Sequence, residues 1–287
     1  MKNFPFSLPL LLDGATGTQL QKFGMPAGAC TESWALENPD AIIGIQRAYV
    51  SAGSKAVMAP TFGCNRVNLD RHGLPNQTRE LCLRLVELSR KAVGGLALIG
   101  GDIAPCGLLI EPFGEHSFEE VSELFSEQAG ALDEAGVDFF MVETQLSAGE
   151  AKAALAGVKA VSDRPVFVSF SITDSGRSFW GEVLSDEAPL FSALGAAAFG
   201  VNCCGDLALI EKVLREIRSA VDIPLIAKPN AGLPREAGGA IVYDMAPAEL
   251  AAFAPKFMDA GALIIGGCCG TTEEHIAAIA ASINARD

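Results

Sequence analysis

The stretch ALIIGGCCGTTEEHI, residues 262–276, combines three local signals in a fixed order. An apolar run of strand length comes first, and a turn rich in glycine and cysteine follows it. A helical pattern opened by threonine and two glutamates comes last. Similar units precede it along the chain, and repeated units of this kind predict parallel strands joined by right-handed helical crossovers.

Eight apolar runs are predicted as strands: Leu8–Asp13, Lys55–Pro60, Leu96–Asp102, Val137–Glu143, Val166–Ile172, Ala197–Asn202, Pro224–Pro229 and Ala262–Gly266. The helical patterns that alternate with them cover residues 40–53, 78–93, 117–135, 147–162, 186–195, 206–220, 247–260 and 272–284. Eight units are enough to close a barrel, so the predicted fold is an α/β (β/α)8 TIM barrel, with residues 1–287 as one domain. An open doubly wound sheet has the same composition, and spacing alone does not exclude it.

Composition narrows the classes of function. The 287 residues are 49% hydrophobic and 20% charged, with a formal net charge of −14. Nucleic acids and anionic membranes attract basic surfaces, so neither is expected as a partner. The N-terminus lacks a signal-peptide core, and no apolar run reaches the roughly 18 residues of a membrane span. We therefore expect a cytoplasmic protein whose eight cysteines are thiols or metal ligands.

Two cysteine pairs stand at predicted strand ends. Cys203 and Cys204 follow the sixth strand, and Cys268 and Cys269 follow the eighth. In a closed barrel these strands flank the seventh, so three thiolates can converge on one soft divalent ion, for which zinc is the usual choice. The alternative is that the cysteines are small buried hydrophobic residues, which is common for free cysteine.

A zinc site with three thiolates predicts a particular chemistry. Three thiolates neutralise the ion, so it activates water poorly but can hold a fourth sulfur. The bound substrate thiol loses its proton and keeps electron density for attack. S-alkylation of a small thiol is the reaction that this ligand set favours.

Four motifs occur in order at predicted strand ends: DGATGTQL at 13–20, TFGCNR at 61–66, VNCC at 201–204 and GGCCGT at 266–271. Together they resemble the homocysteine S-methyltransferase family over essentially the whole chain. KPNAGLP at 228–234 and SITDSGRS at 171–178 are most similar to the homocysteine-binding barrel of cobalamin-dependent methionine synthase. The resemblance implies a zinc-dependent enzyme that methylates homocysteine to methionine.

The resemblance also implies which residues hold the metal. The family's zinc ligands correspond to Cys203, Cys268 and Cys269, which leaves Cys204 as a packing residue. Asn230 corresponds to a family asparagine near the metal and is a candidate oxygen ligand when substrate is absent.

Substrate contacts follow from the same resemblance. Asp13 and Glu143 correspond to the acidic residues that hold the amino group of homocysteine. The carboxylate is expected at backbone amides near Gly14 and Ala15, in a glycine-rich turn that exposes N–H donors. Asn202, beside the first zinc ligand, completes the predicted substrate-binding set.

The methyl donor is less well defined. The second strand ends in residues 58–60, Met-Ala-Pro, where the methionine-synthase barrel is more polar, and the sequence ends just after the eighth predicted helix. We therefore expect a donor from outside the chain, first of all methylcobalamin on a separate corrinoid protein. S-methylmethionine, S-adenosylmethionine and betaine are alternatives. Selenohomocysteine or another small thiol as acceptor, and a non-catalytic zinc-binding or zinc-sensing barrel, also stay open.

Several residues near the predicted rim keep two interpretations. Asp102 either orients substrate or braces the rim, and Arg177 either contacts the methyl-donor partner or pairs with Asp174 in solvent. Cys64 is expected to be structural, and the role of His116 stays open.

Overall fold

Ten strands occur in the computed structural model, which describes residues 4–238 and 240–286. In chain order they are β1 (Leu10–Leu11), β2 (Ala56–Met58), β3 (Leu98–Ile103), β4 (Phe139–Gln145), β5 (Val166–Phe170), β6 (Ala198–Asn202), β7 (Leu225–Lys228), β8 (Arg235–Ala237), β9 (Ala240–Val242) and β10 (Ala262–Ile265). Eight of them form one sheet in the order β1-β10-β7-β6-β5-β4-β3-β2, and every hydrogen-bonded pair in it is parallel.

The seam between β1 and β2 brings the two ends of this sheet together. The Lys55 amide donates to the Leu11 carbonyl at 2.7 Å, and the Ser54 hydroxyl donates to the next carbonyl, that of Leu12, at 3.1 Å. At the carboxyl end of the seam, Asp13 Oδ2 accepts the Met58 amide at 2.8 Å. The prediction of a (β/α)8 barrel is therefore confirmed, and the open doubly wound sheet is excluded.

Helices follow the strands and cover the outside of the barrel. They are α1 (Gly17–Lys22), α2 (Thr31–Glu37), α3 (Pro39–Ser51), α4 (Arg66–Asp70), α5 (Thr78–Val93), α6 (Phe118–Ala135), α7 (Ala148–Val161), α8 (Leu184–Ala193), α9 (Leu207–Ala220), α10 (Pro247–Ala251), α11 (Ala254–Asp259) and α12 (Glu273–Asn284). Within the described residues, 4–238 and 240–286, none of the helices is both long and apolar enough to cross a membrane.

The sequence patterns account for the long helices better than for the short ones. In α9, the Asp206 side chain caps the Leu209 amide at 2.9 Å, and buried residues recur at three- and four-residue spacing. The predicted helix at 247–260 is instead two helices, because Pro255 has no N–H to donate to the carbonyl one turn earlier. The short helices α1, α2 and α4, in the loops after β1 and β2, were not predicted.

Alternate strand residues fill the barrel interior with apolar side chains: Leu10, Leu12, Ala56, Met58, Phe139, Met141, Phe167, Ala198, Ile226 and Ile264. The amino-terminal end of the barrel is covered by aromatic rings. Phe139 and Phe167 stack with their centroids 4.6 Å apart, and Phe4 stacks on Phe167 at 5.6 Å. Phe6 packs edge-on against Phe139 at 5.8 Å. This end carries a packed core, so the opposite rim is left for chemistry.

The loop after β7 contains an antiparallel hairpin, β8 with β9, where only a βα loop was predicted. It leads to Tyr243, whose ring lies over Gly270 in the loop after β10. A side chain at Gly270 would meet the Tyr243 Cβ at 2.2 Å, and the φ of +81° also favours glycine there. The hairpin thus covers the second cysteine pair.

Candidate functional site

Three cysteines from two strand ends form one cluster. The sulfur atoms of Cys203, Cys268 and Cys269 lie within 4.8 Å of one another, and the Cys203 and Cys269 sulfurs are 3.9 Å apart. A tetrahedral zinc ion with bonds of about 2.3 Å has sulfur–sulfur edges of about 3.8 Å. The cluster therefore fits a zinc ion, and no other group of three such ligands occurs among the described residues.

Backbone hydrogen bonds to the loop after β7 hold the cluster in place. The Cys203 amide donates to the Lys228 carbonyl at 3.1 Å, and the Cys268 amide donates to the Pro229 carbonyl at 2.7 Å. Cys203 has a φ of +56°, in the left-handed region that non-glycine residues seldom adopt. Such strain is characteristic of functional sites, where the surrounding structure enforces it.

The three thiols are coupled through their hydrogen bonds. Hydrogen bonds from Cys203 and Cys268 lower the pKa of the Cys269 thiol, whereas hydrogen bonds with Cys268 and Cys269, followed by burial, raise the pKa of Cys203. The nearby Tyr243 phenol lowers the pKa of Cys269 further. One sulfur of the cluster is thus favoured as a thiolate, the form that binds metal.

A cavity of about 570 Å³ opens beside the cluster. Its walls include Gly14, Met58, Phe62, Asp102, Glu143 and Lys228. This volume is large enough for a small amino acid together with the reacting end of a donor.

Glu143 is paired inside this cavity with a residue that the sequence analysis missed. Lys228 donates to Glu143 Oε2, and the two side chains are only 3% and 8% exposed. Burial alone would lower the pKa of Lys228, but the charges of Glu143, Asp102 and Asp13 raise it. Lys228 ends an otherwise apolar strand, and a charge at such a position needs a partner of opposite charge. This feature of the sequence could have identified Lys228 as a site residue.

Two further carboxyl groups face the same region. Asp13 Oδ1 and Asp102 Oδ1 are buried without a hydrogen-bond partner in the described part of the chain. Burial raises the pKa of Asp13 to about 7, and burial followed by the Glu143 charge raises the pKa of Asp102 well above its usual range. Both oxygens are therefore available to a cation.

The glycine-rich turn after β1 offers fewer amides than predicted. The Ala15 amide already donates to Thr271 Oγ1 at 3.0 Å, whereas the Gly14 amide has no partner among the described residues. A side chain at Gly14 would meet the Tyr49 ring at 2.8 Å. Gly14 is thus the one amide of the two that is open to a carboxylate.

The two asparagines differ in how their side chains are used. Asn202 accepts from the Thr144 amide at 2.9 Å and the Ser169 hydroxyl at 2.8 Å, and its Nδ2 donates to Thr144 Oγ1. The same Nδ2 lies 3.9 Å from Cys268 Sγ. This arrangement braces the rim rather than leaving a free group for substrate. Asn230 Oδ1 is buried and unpartnered in the described chain, as a candidate ligand requires.

The remaining candidates are not members of the cluster. Cys204 places its sulfur 3.9 Å from the Asp206 carbonyl, and Cys64 is fully buried in the outer core. His116 sits 3.8 Å from Glu120 on the surface. Arg177 donates to the Gly181 carbonyl of its own loop at 2.9 Å, so the expected pairing with an aspartate does not form.

Comparisons with known proteins agree with this geometry. The profile of the homocysteine S-methyltransferase family matches residues 10–283. The methionine synthases of Mycobacterium leprae and Mycobacterium tuberculosis are each 30% identical over 94% of this chain, which spans only 24% of their length. The metallated homocysteine methyltransferase MmuM from Escherichia coli superimposes with a TM-score of 0.81 at 27% identity, over 95% of both chains. The chain belongs to the homocysteine S-methyltransferase family.

Proposed function

We propose that this chain transfers an activated methyl group to the sulfur of homocysteine and releases methionine. The observation that carries the proposal is the cluster of Cys203, Cys268 and Cys269 at a cavity lined with buried charges. A structural zinc site would need no charged cavity beside it. A small zwitterionic thiol does need one, because it brings an ammonium group, a carboxylate and a sulfur to the same place.

The reaction exchanges one bond for another. A sulfur–carbon bond forms while the bond between methyl and donor breaks, and the electron pair of the broken bond stays on the donor. Zinc bound by Cys203, Cys268 and Cys269 would keep the acceptor sulfur in its thiolate form near neutral pH. No side chain then needs to act as general base during methyl transfer.

The chain itself orients the acceptor. The predicted contacts to the amino group are Asp13 and Glu143, and Asp13 keeps Oδ1 free for this purpose. The open amide of Gly14, in the adjacent turn, is suited to the carboxylate. Fixing the ammonium and carboxylate groups of the α-carbon would direct the side-chain sulfur toward the cysteine cluster, so that the methyl group is approached in one geometry.

We propose methylcobalamin on a separate corrinoid protein as the donor, with a small onium compound as the alternative. Sulfonium and quaternary ammonium donors are best held by aromatic rings. Among the described residues, Phe62 is the one Phe, Tyr or Trp side chain that lines the cavity. By contrast, Phe113 in the loop after β3 and Trp180 in the loop after β5 pack edge-on with their ring centroids 5.4 Å apart and are exposed, as a protein-docking rim requires.

Methionine formation tests both parts of the proposal. The zinc-loaded protein is supplied with homocysteine and, in separate reactions, with methylcobalamin, S-methylmethionine or betaine. We expect turnover with methylcobalamin. Turnover with either onium compound would make the enzyme self-sufficient and contradict the corrinoid donor. If homocysteine does not bind the zinc form in calorimetry, the proposed function fails and a non-catalytic zinc barrel takes its place.

Two matched cysteine variants serve as controls. Cys268→Ser removes one sulfur of the cluster, so we expect weak zinc binding and no detectable methionine. Cys204→Ser makes the same change next to the cluster, where the sulfur is not one of the grouped ligands, and should keep both properties. Equal zinc binding and activity in the two variants would contradict the assigned ligand set.

A further inference from the structure

One of the two carboxylates expected to bind the amino group of homocysteine already has a cation beside it. Glu143 forms a buried ion pair with Lys228, a cation supplied by the protein. Lys228 donates to Oε2 and its charge compensates that of Glu143, so this carboxylate offers a second ammonium group less negative charge than an unpaired one would.

Asp102 has the opposite arrangement: a fixed backbone and a free carboxylate. Its amide donates to Thr61 Oγ1 at 3.1 Å, and its carbonyl accepts from Thr61 at 3.0 Å and from Gln128 at 3.2 Å. The side chain is nearly buried, with the residue 7% exposed, and lines the cavity. It makes no hydrogen bond among the described residues. A carboxylate held this firmly and left unpartnered is suited to a ligand from outside.

The acidic groups around the cavity outnumber the basic ones, so the cavity can accept one more cation. Asp13, Asp102 and Glu143 are three acidic groups that act on Lys228, the one lysine or arginine that is buried among the described residues. The unpartnered Oδ1 atoms of Asp13 and Asp102 are the ones that still lack a donor.

The other charged groups of the cavity wall are already in use. Glu32 accepts the Gly63 amide, and Arg71 donates to Asn68 and to the Cys106 carbonyl. An ammonium group from the substrate is therefore the donor that the two aspartates require.

We propose that Asp102 joins Asp13 and Glu143 as an acceptor for the ammonium group of the substrate and is the residue that determines specificity for it. The inference rests on the proposed function and adds to it a residue for which the family resemblance gave no role. It assigns Asp102 to substrate recognition instead of bracing the rim. Thr61 and Gln128, which hold its backbone, supply the bracing.

A pair of thiols distinguishes recognition of the ammonium group from general damage to the site. Homocysteine and 4-mercaptobutanoate share the thiol, the chain length and the carboxylate, but only the first carries an ammonium group. Calorimetry of the zinc-loaded protein gives the affinity for each. We expect Asp102→Asn to weaken homocysteine by about 10- to 100-fold and to leave 4-mercaptobutanoate unchanged.

Two further variants complete the test. Asp102→Glu keeps the charge and should retain more of the preference for homocysteine than Asp102→Asn. Asp174→Asn makes the same change on another rim loop, at an exposed position, and should leave both affinities as in the wild type.

Equal weakening of the two thiols by Asp102→Asn, or no weakening of homocysteine, would overturn the inference and leave methyl transfer standing. Failure of the wild-type protein to bind homocysteine would instead overturn the proposed function itself.

Discussion

The two ends of the barrel are built from the same strands and have opposite characters. At the amino-terminal end, the rings of Phe139 and Phe167 stack and are covered by the segment before β1. At the carboxyl end, Asp102, Glu143 and Lys228 are buried around a cavity. One end consists of apolar contacts, and the other concentrates charge that is costly to bury.

Strand β4 shows how the barrel interior changes from apolar to charged along one strand. In β4, Phe139, Met141 and Glu143 are two residues apart and so point to the same side, into the barrel. The first two belong to the interior core, and the third reaches the cavity. Strands β3 and β7 end their inward rows in the same way, in Asp102 and Lys228. The comparison suggests that the amino-terminal end stabilises the fold and the carboxyl end gives up stability for function.

Phe167→Ala tests the stabilising end and should have the largest effect. Removing a fully buried ring that stacks on two others should lower the free energy of unfolding by about 3–5 kcal/mol, as measured by urea denaturation. Zinc affinity of the folded protein should not change, because Phe167 lies at the other end of the barrel. Phe179→Ala, at an exposed position, is the control and should change neither property. A loss of zinc affinity in Phe167→Ala would show that the two ends are not independent.

Lys228→Met tests the charged end. The substitution keeps an unbranched side chain that is one atom shorter but leaves Glu143 buried without its cation, which should cost about 3 kcal/mol of stability. The cost should be larger at pH 8 than at pH 5, because acid neutralises the unpaired carboxylates. Lys152→Met breaks the more exposed pair with Glu187 and should cost about 1 kcal/mol or less. Equal costs for the two variants would remove the contrast between buried and exposed pairs.

The sequence predicts the barrel because each β/α unit carries its own local signal. It also predicts the cysteine cluster, since adjacent strand ends must meet at one rim. The pairing of Glu143 with Lys228 could not be predicted from local patterns. It depends on strands that are 85 residues apart in sequence and on which of their residues face inward. Because alternate residues of a strand face the same side, the two-residue periodicity of β3, β4 and β7 would have placed Asp102, Glu143 and Lys228 together inside the carboxyl end of the barrel.

Two smaller features were not predicted from the sequence, for other reasons. The hairpin of β8 and β9 lies where the sequence pattern predicts only a loop, although a Gly-Gly pair, which is a turn signal, occurs in that stretch. The free amide of Gly14 and the engaged amide of Ala15 have the same appearance in sequence. Only the position of Thr271, far along the chain, distinguishes them. Hydrogen bonds between distant segments therefore set the limit of prediction from sequence.

Asp13→Asn examines how much stability the charged end gives up. The pKa of Asp13 is about 7 in the folded protein and near 3.8 when exposed, so the folded state holds the proton more tightly. Its contribution to stability therefore falls as the pH rises through this window and is constant above it. Between pH 5 and pH 8 the wild type should lose on the order of 2 kcal/mol more than Asp13→Asn in urea denaturation. Asp174→Asn should keep the wild-type slope, and an unchanged slope in Asp13→Asn would contradict the cost assigned to this carboxylate.

Tyr243→Phe should have the smallest effect, and it separates positioning from packing at the charged end. The phenol lowers the pKa of Cys269, a proposed zinc ligand, so removing its hydroxyl should weaken zinc binding by about 10-fold in a chelator competition. The stability of the metal-free protein should barely change, because the ring still packs over Gly270. Tyr49→Phe is the matched control: its hydroxyl donates to the Ala15 carbonyl at 2.7 Å, so its loss should affect folding and not zinc. If both variants bind zinc as the wild type does, the hairpin is only a cover for the site, and zinc affinity depends on the three sulfurs alone.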